Sequence, residues 1–344
     1  MAFVKRIPSR LSVVKLLVIF VAVVFPFVSA IGRHQSTQKS ATDQKTVDPA
    51  AWGSNHIGKP IPEYMHGDEC LFCHRNDVGG TWQDNAHGVT IRQKEDAADL
   101  RKLMEKQPPF AEAADQIEYF MGSRHHIRFL KKSGYGKFSI LNAQANLSQD
   151  HKVEKWDYIS KLPWNKDSFA DRCAGCHTTG VDATAKTFAA FGIDCYACHG
   201  DVNPEHSNDI SLVWLSKKRR NDAKAVTSIC AQCHLRSGKS KASGLPYANS
   251  FIAGDNLFQD FQIDFSAADK QDLNPGDRHV LYNVRDVVLR EKEGTTCITC
   301  HDIHAHSTKK HSSANPGPVC VICHESDTTK KVKTFEVHSQ LCEY

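Results

Sequence analysis

The amino-acid sequence predicts a mainly α, loop-rich fold with little β-structure, whose side chains alone cannot fill its core. Only 40% of the 344 residues are hydrophobic, and the mean hydropathy is −0.44. Potential metal ligands are unusually frequent, with 13 cysteines and 19 histidines. Secondary structure is weakly indicated, and long stretches such as 235–280 have no regular pattern. A stable fold of this composition needs a further apolar component.

Twelve of the 13 cysteines form six copies of one motif, Cys-x-x-Cys-His. The copies are Cys70-Leu71-Phe72-Cys73-His74, Cys173-Ala174-Gly175-Cys176-His177, Cys195-Tyr196-Ala197-Cys198-His199, Cys230-Ala231-Gln232-Cys233-His234, Cys297-Ile298-Thr299-Cys300-His301 and Cys320-Val321-Ile322-Cys323-His324. Two thiols three residues apart lie on one side of a helical turn, where they reach the two vinyl groups of one porphyrin. The adjacent imidazole then binds the iron, so this is the attachment motif of c-type heme.

Three other interpretations of Cys-x-x-Cys are a zinc knuckle, a redox dithiol and a disulfide. None of them requires a histidine directly after the second cysteine in all six copies. The sequence therefore predicts six covalent c hemes, with the twelve motif cysteines as attachment points and the six motif histidines as proximal iron ligands. Six buried porphyrins supply the missing core, and we expect a multiheme cytochrome c that folds as one unit over residues 61–344.

Within that unit the predicted elements are few. Residues 95–106 have helical spacing at Leu100, Leu103 and Met104, and Pro108-Pro109 ends the helix. Residues 110–130 are predicted as a second helix, and 137–141 as a short strand.

The second and third motifs are 17 residues apart (178–194), and the fifth and sixth are 18 apart (302–319). Such short links predict that the paired hemes are neighbours.

The N-terminal segment, residues 1–30, is typical of a secretory signal peptide. It carries four basic residues and no acidic one, an apolar run over 16–28, and small residues before a cleavage site after Ala30. An uncleaved membrane anchor is the alternative, although the run is short for a span of about 20 residues. Residues 31–60 are polar and are predicted to be a tether. Export predicts a periplasmic or extracellular location of the bacterial type.

The net charge gives no indication of a basic partner-binding surface. Removing the signal peptide takes four of the 43 Lys and Arg residues and none of the 39 Asp and Glu residues, which leaves 39 of each. Heme propionates would add negative charge. The basic run 217–220 is interpreted as a solvated face or as propionate partners, with docking of a partner as the less favoured alternative. Nothing in the sequence indicates nucleic-acid binding.

The ligand on the other side of each iron decides between a carrier and a catalyst. Candidate distal histidines outside the motifs are numerous enough to serve all six hemes. They are His66, His87, His125, His126, His151, His206, His279, His304, His306, His311 and His338. Because His206 and His304 lie seven and three residues beyond their own motifs, each is expected to serve a neighbouring heme. His338 is the only histidine after the sixth motif.

Several flanking segments resemble a known family. Cys195–Gly200 followed by His206 resembles the Cys-x-x-Cys-His-Gly…His element of multiheme cytochromes, and Cys297–His304 resembles their Cys-x-x-Cys-His-Asp-Pro-His element, with Ile303 in place of proline. Trp82–His87 resembles the Trp…His segment after their first motif. The set is similar to the multiheme family that includes the tetraheme electron acceptor of hydroxylamine oxidoreductase and the related tetrathionate- and nitrite-reducing cytochromes.

This resemblance covers about 65–340 and implies that His87, His206 and His304 are distal ligands. Departures from the family pattern leave other ligands open. The lysine-ligated motif of pentaheme nitrite reductases is absent, and 287–296 lacks the histidine found before the fifth motif in relatives. Either one ligand is missing there or His279 replaces it. The complete expected set is His87, His206, His304 and His338, with one of His125 and His126, and His279.

Electron transfer is the favoured function. In this hypothesis every iron has two histidine ligands, and electrons pass between redox proteins, such as a membrane quinol oxidase or dehydrogenase and a terminal reductase. The first alternative is an oxidoreductase with one open heme acting on a small nitrogen or sulfur compound, for which His126, His151 or Lys131 is a candidate base. A structural role in heme stacking is the second alternative. The remaining thiol, Cys342, is expected to be dispensable.

Overall fold

The computed structural model describes residues 52, 55–122, 126–148, 150, 152–158, 162–202, 204–219, 221–236, 238–269, 273, 275–290 and 296–305. All of these belong to one compact unit, Gln44–Tyr344. The predicted signal peptide, the sixth attachment motif (Cys320, Cys323 and His324), His125, His151, His338 and Cys342 lie outside the described residues. Within the described residues, no helix combines the length and apolar character needed to cross a bilayer.

The prediction of a mainly α fold with little β-structure is wrong, because a six-stranded antiparallel sheet lies between the first and second motifs. Five strands follow the order β1-β2-β3-β4-β5, and the sixth, β6, pairs with β4. The strands are β1 (Ile91–Gln93), β2 (Tyr119–Met121), β3 (His126–Gly134), β4 (Lys137–Leu147), β5 (Val153–Tyr158) and β6 (Trp164–Asn165). Two short ribbons are formed by β7 (Thr178–Thr179) with β8 (Ala190–Phe191) and by β9 (Lys239–Ser240) with β10 (Phe261–Gln262).

The predicted helix over 110–130 is therefore wrong beyond Ala114. Gly122 separates β2 from β3 with a φ of +88°, and a Cβ there would lie 2.4 Å from the His126 carbonyl oxygen. Only glycine can adopt this left-handed conformation and allow the backbone to approach so closely. A helix cannot continue through this residue. The strand predicted over 137–141 is present and longer, since β4 continues to Leu147.

Eleven α-helices are described, and five of them carry the described attachment motifs. In chain order they are α1 (Gly67–His74), α2 (Gly80–Trp82), α3 (Ala98–Glu105), α4 (Pro108–Ala114), α5 (Ser168–Arg172), α6 (Ala174–His177), α7 (Cys195–His199), α8 (Ala223–His234), α9 (Leu257–Asp260), α10 (Pro275–Arg290) and α11 (Cys297–Cys300). The helix predicted over 95–106 is confirmed as a 3₁₀ turn, Glu95–Ala97, followed by α3.

Both faces of the sheet are covered by apolar side chains, because successive residues of a strand point to opposite faces. One face packs against α3 and α4 in a cluster that includes the fully buried Phe110, Phe120 and Phe129. The opposite face, with Phe138 and Ile140, packs against Phe169, Ala174 and Phe188. Ala174 belongs to the second motif, so this motif packs against the sheet.

A separate core holds the C-terminal helices together. Ala231 of α8, Phe258 of α9 and Leu281 of α10 belong to one buried cluster. The end of the predicted tether also reaches this region, since the Trp52 ring meets Phe258 edge-on at 5.6 Å. Nearby, His56 Nδ1 lies 2.8 Å from a carboxylate oxygen of Asp255. The boundary of the tether at residue 60 stays a prediction.

Candidate heme-binding site

The five described attachment motifs all lie on short helical turns. The first ends α1, the second and third form α6 and α7, the fourth ends α8, and the fifth forms α11. Helical geometry brings residues three apart onto one face, so each turn presents its two cysteines on the same side. The fourth motif ends a helix with a capped N-terminus. Asp222 caps α8 by accepting hydrogen bonds from the Lys224 and Ala225 amides at 3.1 and 3.0 Å.

The motif turns contact one another through their cysteines. The side chains of Cys70 and Cys195 interact, which joins the first motif to the third. Those of Cys230 and Cys297 also interact, which joins the fourth to the fifth.

The second and fourth motifs are also in contact. Cys176 Sγ lies 3.7 Å from the carbonyl oxygen of Cys233, whose own Sγ lies 3.4 Å from the Gly175 carbonyl oxygen. Gln232 connects the fourth motif to the third by donating to the Ala197 carbonyl oxygen at 3.3 Å. The five described motifs therefore form one continuous cluster.

Asp194 fixes the first and third motifs relative to each other. Its carboxylate accepts a hydrogen bond from the Tyr196 amide at 3.0 Å, which caps α7. The same carboxylate accepts from the Gly67 amide at 3.2 Å, at the start of α1, and from the Tyr64 hydroxyl. Burial raises the pKa of Tyr64, and so does the hydrogen bond to Asp194, because an ionised phenol would face a carboxylate. One acidic side chain thus joins two motif helices.

Three imidazole pairs are the central feature of the site. Each joins a proximal histidine of one motif to a predicted distal histidine that follows another motif. The ring centroids of His74 and His206 are 6.1 Å apart, those of His199 and His304 are 6.0 Å apart, and those of His234 and His87 are 6.0 Å apart.

These separations fit an iron held between two imidazoles. A metal–imidazole bond is about 2 Å long and a ring nitrogen lies roughly 1 Å from its ring centroid, so two rings on opposite sides of one metal have centroids about 6 Å apart. Direct ring stacking would bring the planes to about 3.5–4 Å, the distance of van der Waals contact. The paired residues therefore match a bis-histidine heme better than a stacked pair of side chains.

The proximal imidazoles differ in what their Nδ1 atoms contact. His74 Nδ1 donates to the Asp77 carboxylate at 2.9 Å, and His199 Nδ1 donates to the Trp214 carbonyl oxygen at 2.6 Å. His177 Nδ1 is buried and has no hydrogen-bond partner among the described residues. Burial, with a contribution from Arg236, lowers the pKa of His177 to about 4. The imidazole is therefore neutral at pH 7, the form that binds metals.

The loop that carries His87 is held by a buried asparagine. The Asn85 side-chain amide donates to the carbonyl oxygens of Ile303 at 2.8 Å and Ala305 at 2.5 Å. Its side-chain oxygen accepts from the His87 amide at 2.9 Å. Asn85 consequently joins the segments of two predicted distal ligands, His87 and His304. Sequence reasoning missed Asp77, Trp214 and Asp194, which belong to no recognisable motif, and it gave no role to Asn85, which lies within the Trp82–His87 segment.

The other predicted site residues lie elsewhere. His126 is on β3, exposed, with its Nδ1 atom 2.7 Å from Asn146 Oδ1. Lys131, also on β3, has its Nζ atom 4.4 Å from the centroid of the Trp164 ring. His279 is on α10, with its ring nitrogens 3.3 and 3.4 Å from Asn283 Nδ2. These contacts lie within the sheet and within α10.

The basic run 217–220 makes local contacts in the part that is described. The Arg219 guanidinium lies 3.4 Å from the centroid of the Trp214 ring, and Lys218 Nζ is 3.4 Å from Asp209. Trp214 is also the residue whose carbonyl oxygen contacts His199. The run therefore covers the surface beside the third motif.

Comparison with protein families gives the class of the molecule. Residues 131–200 match the family of cytochrome c554 and c-prime. The matched segment starts in β3 and includes the second and third attachment motifs. This match supports covalent heme c and an electron-transfer cytochrome as the class of the chain. A comparison with curated protein sequences gave no match.

Two solved structures are similar to the chain. The outer cell wall cytochrome OcwA has 18% sequence identity and a TM-score of 0.49, over 78% of this chain and 68% of that one. An undecaheme cytochrome from the S-layer of Carboxydothermus ferrireducens has 17% identity and a TM-score of 0.43, over 77% of this chain and 44% of that one.

Proposed function

We propose that the chain is a hexaheme c-type cytochrome that transfers electrons between redox proteins outside the cytoplasm. The observation that carries this proposal is the set of three imidazole pairs with ring centroids 6.0–6.1 Å apart. Heme c, when bound, supplies one-electron chemistry between Fe(III) and Fe(II). The proposal assigns the six Cys-x-x-Cys-His motifs to six covalent hemes.

The three imidazole pairs provide both proposed histidine ligands for three irons. His74 with His206, His199 with His304, and His234 with His87 would each hold one iron. His177, His301 and His324 would be proximal ligands of the remaining three. Their distal ligands are proposed from the residues left in the predicted set, which are His125, His126, His279 and His338.

Two imidazoles on one iron favour transfer over catalysis. An iron held by two histidines would have no position open to a substrate. The paired histidines also come from different parts of the chain, which holds each iron between two packed segments and limits rearrangement when it changes charge. The cluster of motif turns places these segments in contact. The paired histidines would therefore bind and position the hemes of an electron relay, and they would exclude small ligands from the iron.

The location and partners belong to the same proposal. The signal-type sequence over 1–30 supports export, and exported redox proteins are the partners that a relay needs. We propose a periplasmic or extracellular site of action, with electrons arriving from a membrane quinol oxidase or dehydrogenase, or leaving to a terminal reductase.

Heme count and ligation are directly measurable. The intact mass of the purified holoprotein should exceed that of the processed polypeptide by six porphyrins, and a stable species with four or fewer would contradict the count. The oxidised protein should give low-spin paramagnetic resonance signals. The reduced wild type should bind no carbon monoxide. Binding of about one carbon monoxide per chain would instead indicate an open heme and an enzyme.

Removing one proposed distal ligand tests the pairs. His206→Ala should convert one heme to a five-coordinate, high-spin form that binds carbon monoxide, because His74 would remain as its only protein ligand. His66→Ala is the matched control, since His66 lies directly before the same helix, α1, and its side chain is 54% exposed. The control should bind none. Equal carbon monoxide binding by both variants would contradict the assignment of His206.

A further inference from the structure

The proximal imidazoles of the first, second and third motifs have different Nδ1 environments. His74 donates to a carboxylate, Asp77, at 2.9 Å, and His199 donates to a backbone carbonyl, Trp214, at 2.6 Å. His177 has a buried Nδ1 atom with no hydrogen-bond partner among the described residues. All three motifs have the same two cysteines and the same proximal histidine. This difference concerns the hydrogen bond that each proximal histidine makes through its second ring nitrogen, and such bonds tune a metal held by the first.

A stronger acceptor at Nδ1 makes the imidazole a better donor to the metal. A carboxylate draws the Nδ1 proton most strongly, a backbone carbonyl draws it less, and an unpaired nitrogen keeps it. Greater donation stabilises Fe(III) relative to Fe(II), which lowers the reduction potential. The contribution of this contact should therefore be most negative at His74, intermediate at His199 and least negative at His177.

Asp77 is well placed for this role. It lies three residues after His74, in a single π-helical turn (Arg75–Gly79) that continues α1. That turn carries the carboxylate back alongside the imidazole. The side chains of His74 and Asp77 are 44% and 61% exposed, so water screens part of the negative charge and the hydrogen bond is the larger effect.

The first motif is also the most accessible of the described ones. The Phe72 side chain within it is 86% exposed, and Cys73 is exposed. Its cysteine contact is with Cys195 of the third motif. A heme at this position would lie at the edge of the cluster of motif turns, where a redox partner can approach.

We propose that Asp77 tunes the heme held by His74 to a lower reduction potential, and so makes the exposed first motif the low-potential end of the relay. The proposal rests on the proposed function, because it requires a heme at the first motif. One electron from the redox partner would reduce Fe(III) to Fe(II) at this heme. The same electron would then move to a heme of higher potential, which restores Fe(III).

Asp77→Asn is the test, because asparagine keeps the shape and an acceptor oxygen but removes the charge. In a redox titration followed by paramagnetic resonance, one heme should become easier to reduce. Its ratio of oxidised to reduced iron at a fixed potential should fall about three- to tenfold, as expected for one charge-assisted hydrogen bond that is partly exposed. A tenfold change corresponds to about 59 mV for one electron.

Asp68→Asn is the matched control. Asp68 is in the first turn of the same helix, its side chain is 87% exposed, and its nearest ion-pair partner is His66 at 3.5 Å. The control removes the same charge near the same heme and should change the ratio less than about twofold. Equal shifts in both variants, or no shift in Asp77→Asn, would overturn the proposal. Intact mass confirms that both variants keep all their hemes.

A second readout identifies the heme. In the His206→Ala background the reduced heme at the first motif should be five-coordinate, so resonance Raman spectra report its iron–His74 stretch. Adding Asp77→Asn should lower that frequency, and an unchanged frequency would overturn the proposal. Failure of the proposed function is distinguishable, because it would appear as carbon monoxide binding by the wild type, whatever the effect of Asp77.

Discussion

Asn85 shows how one uncharged side chain can support two metal-binding segments. Its amide bonds to the Ile303 and Ala305 carbonyl oxygens, and its oxygen bonds to the His87 amide. Asn85→Ala should lower the free energy of unfolding by about 1–3 kcal/mol, because buried polar groups lose their partners. It should also produce high-spin iron at the hemes of His87 and His304. Denaturant unfolding and paramagnetic resonance measure the two effects.

Asn142→Ala is the control for that experiment. Asn142 is an exposed asparagine on β4, in a segment that carries no proposed ligand. This variant should change stability by less than about 0.5 kcal/mol, as surface substitutions usually do. If the two variants behave alike, the link between the segments of His87 and His304 has no energetic importance.

At the same scale, the sequence indicates the proposed proximal ligands more directly than the proposed distal ones. His74 and its five counterparts are proposed from local chemistry, because the two cysteines and the histidine of a motif would act on one porphyrin. The ring beside His74 is that of His206, which lies far along the chain and becomes its neighbour through the contact of α1 with α7. Such pairings depend on tertiary structure, and spacing alone excludes only partners within the same motif.

At the scale of the element, the sheet is the part that sequence reasoning missed. Residues 110–130 begin with alanines and so resemble a helix, but Ile117, Tyr119 and Met121 alternate with a period of two. Aromatic and β-branched residues in such alternation are typical of strands. The helix over 95–106 was predictable because its apolar side chains have helical spacing and Pro108-Pro109 follows it.

The sheet should contribute stability through the Phe110 cluster, which contains no residue of an attachment motif. Phe110 is fully buried between α4 and the sheet, so Phe110→Ala should lower the free energy of unfolding by about 3–5 kcal/mol. The heme count and the reduction potentials should stay unchanged, because the Phe110 cluster contains no residue of an attachment motif. Unfolding in guanidinium, intact mass and a redox titration check these expectations.

Phe72→Ala provides the comparison. Phe72 is 86% exposed, and its removal should alter stability by less than about 0.5 kcal/mol. A loss of heme in Phe110→Ala would show that the sheet is needed to assemble the motif cluster rather than only to stabilise it.

At the scale of the whole molecule, α8 occupies the centre of the motif cluster. It contacts α6, α7 and α11, which carry the second, third and fifth motifs. Replacing Cys230 and Cys233 together by serine should remove one heme and leave the others attached. Reduction of the remaining hemes should then occur in two phases, because the path through the fourth motif is interrupted. Stopped-flow absorbance with a small reductant measures the phases.

The same double substitution in the first motif, at Cys70 and Cys73, is the control. This motif lies at the edge of the cluster, so its loss should remove one heme and leave a single phase. Two phases in both variants would contradict the central position of α8.

The neighbouring thiols also bear on how the protein is made. The side chain of Cys70 interacts with that of Cys195, and that of Cys230 with that of Cys297, so each pair brings together cysteines of different motifs. In an oxidising compartment such thiols would be prone to cross-link. A single disulfide here would deprive two of the proposed hemes of a thioether. Covalent attachment would therefore have to precede oxidation of these thiols, and the newly made chain would have to stay reduced until then.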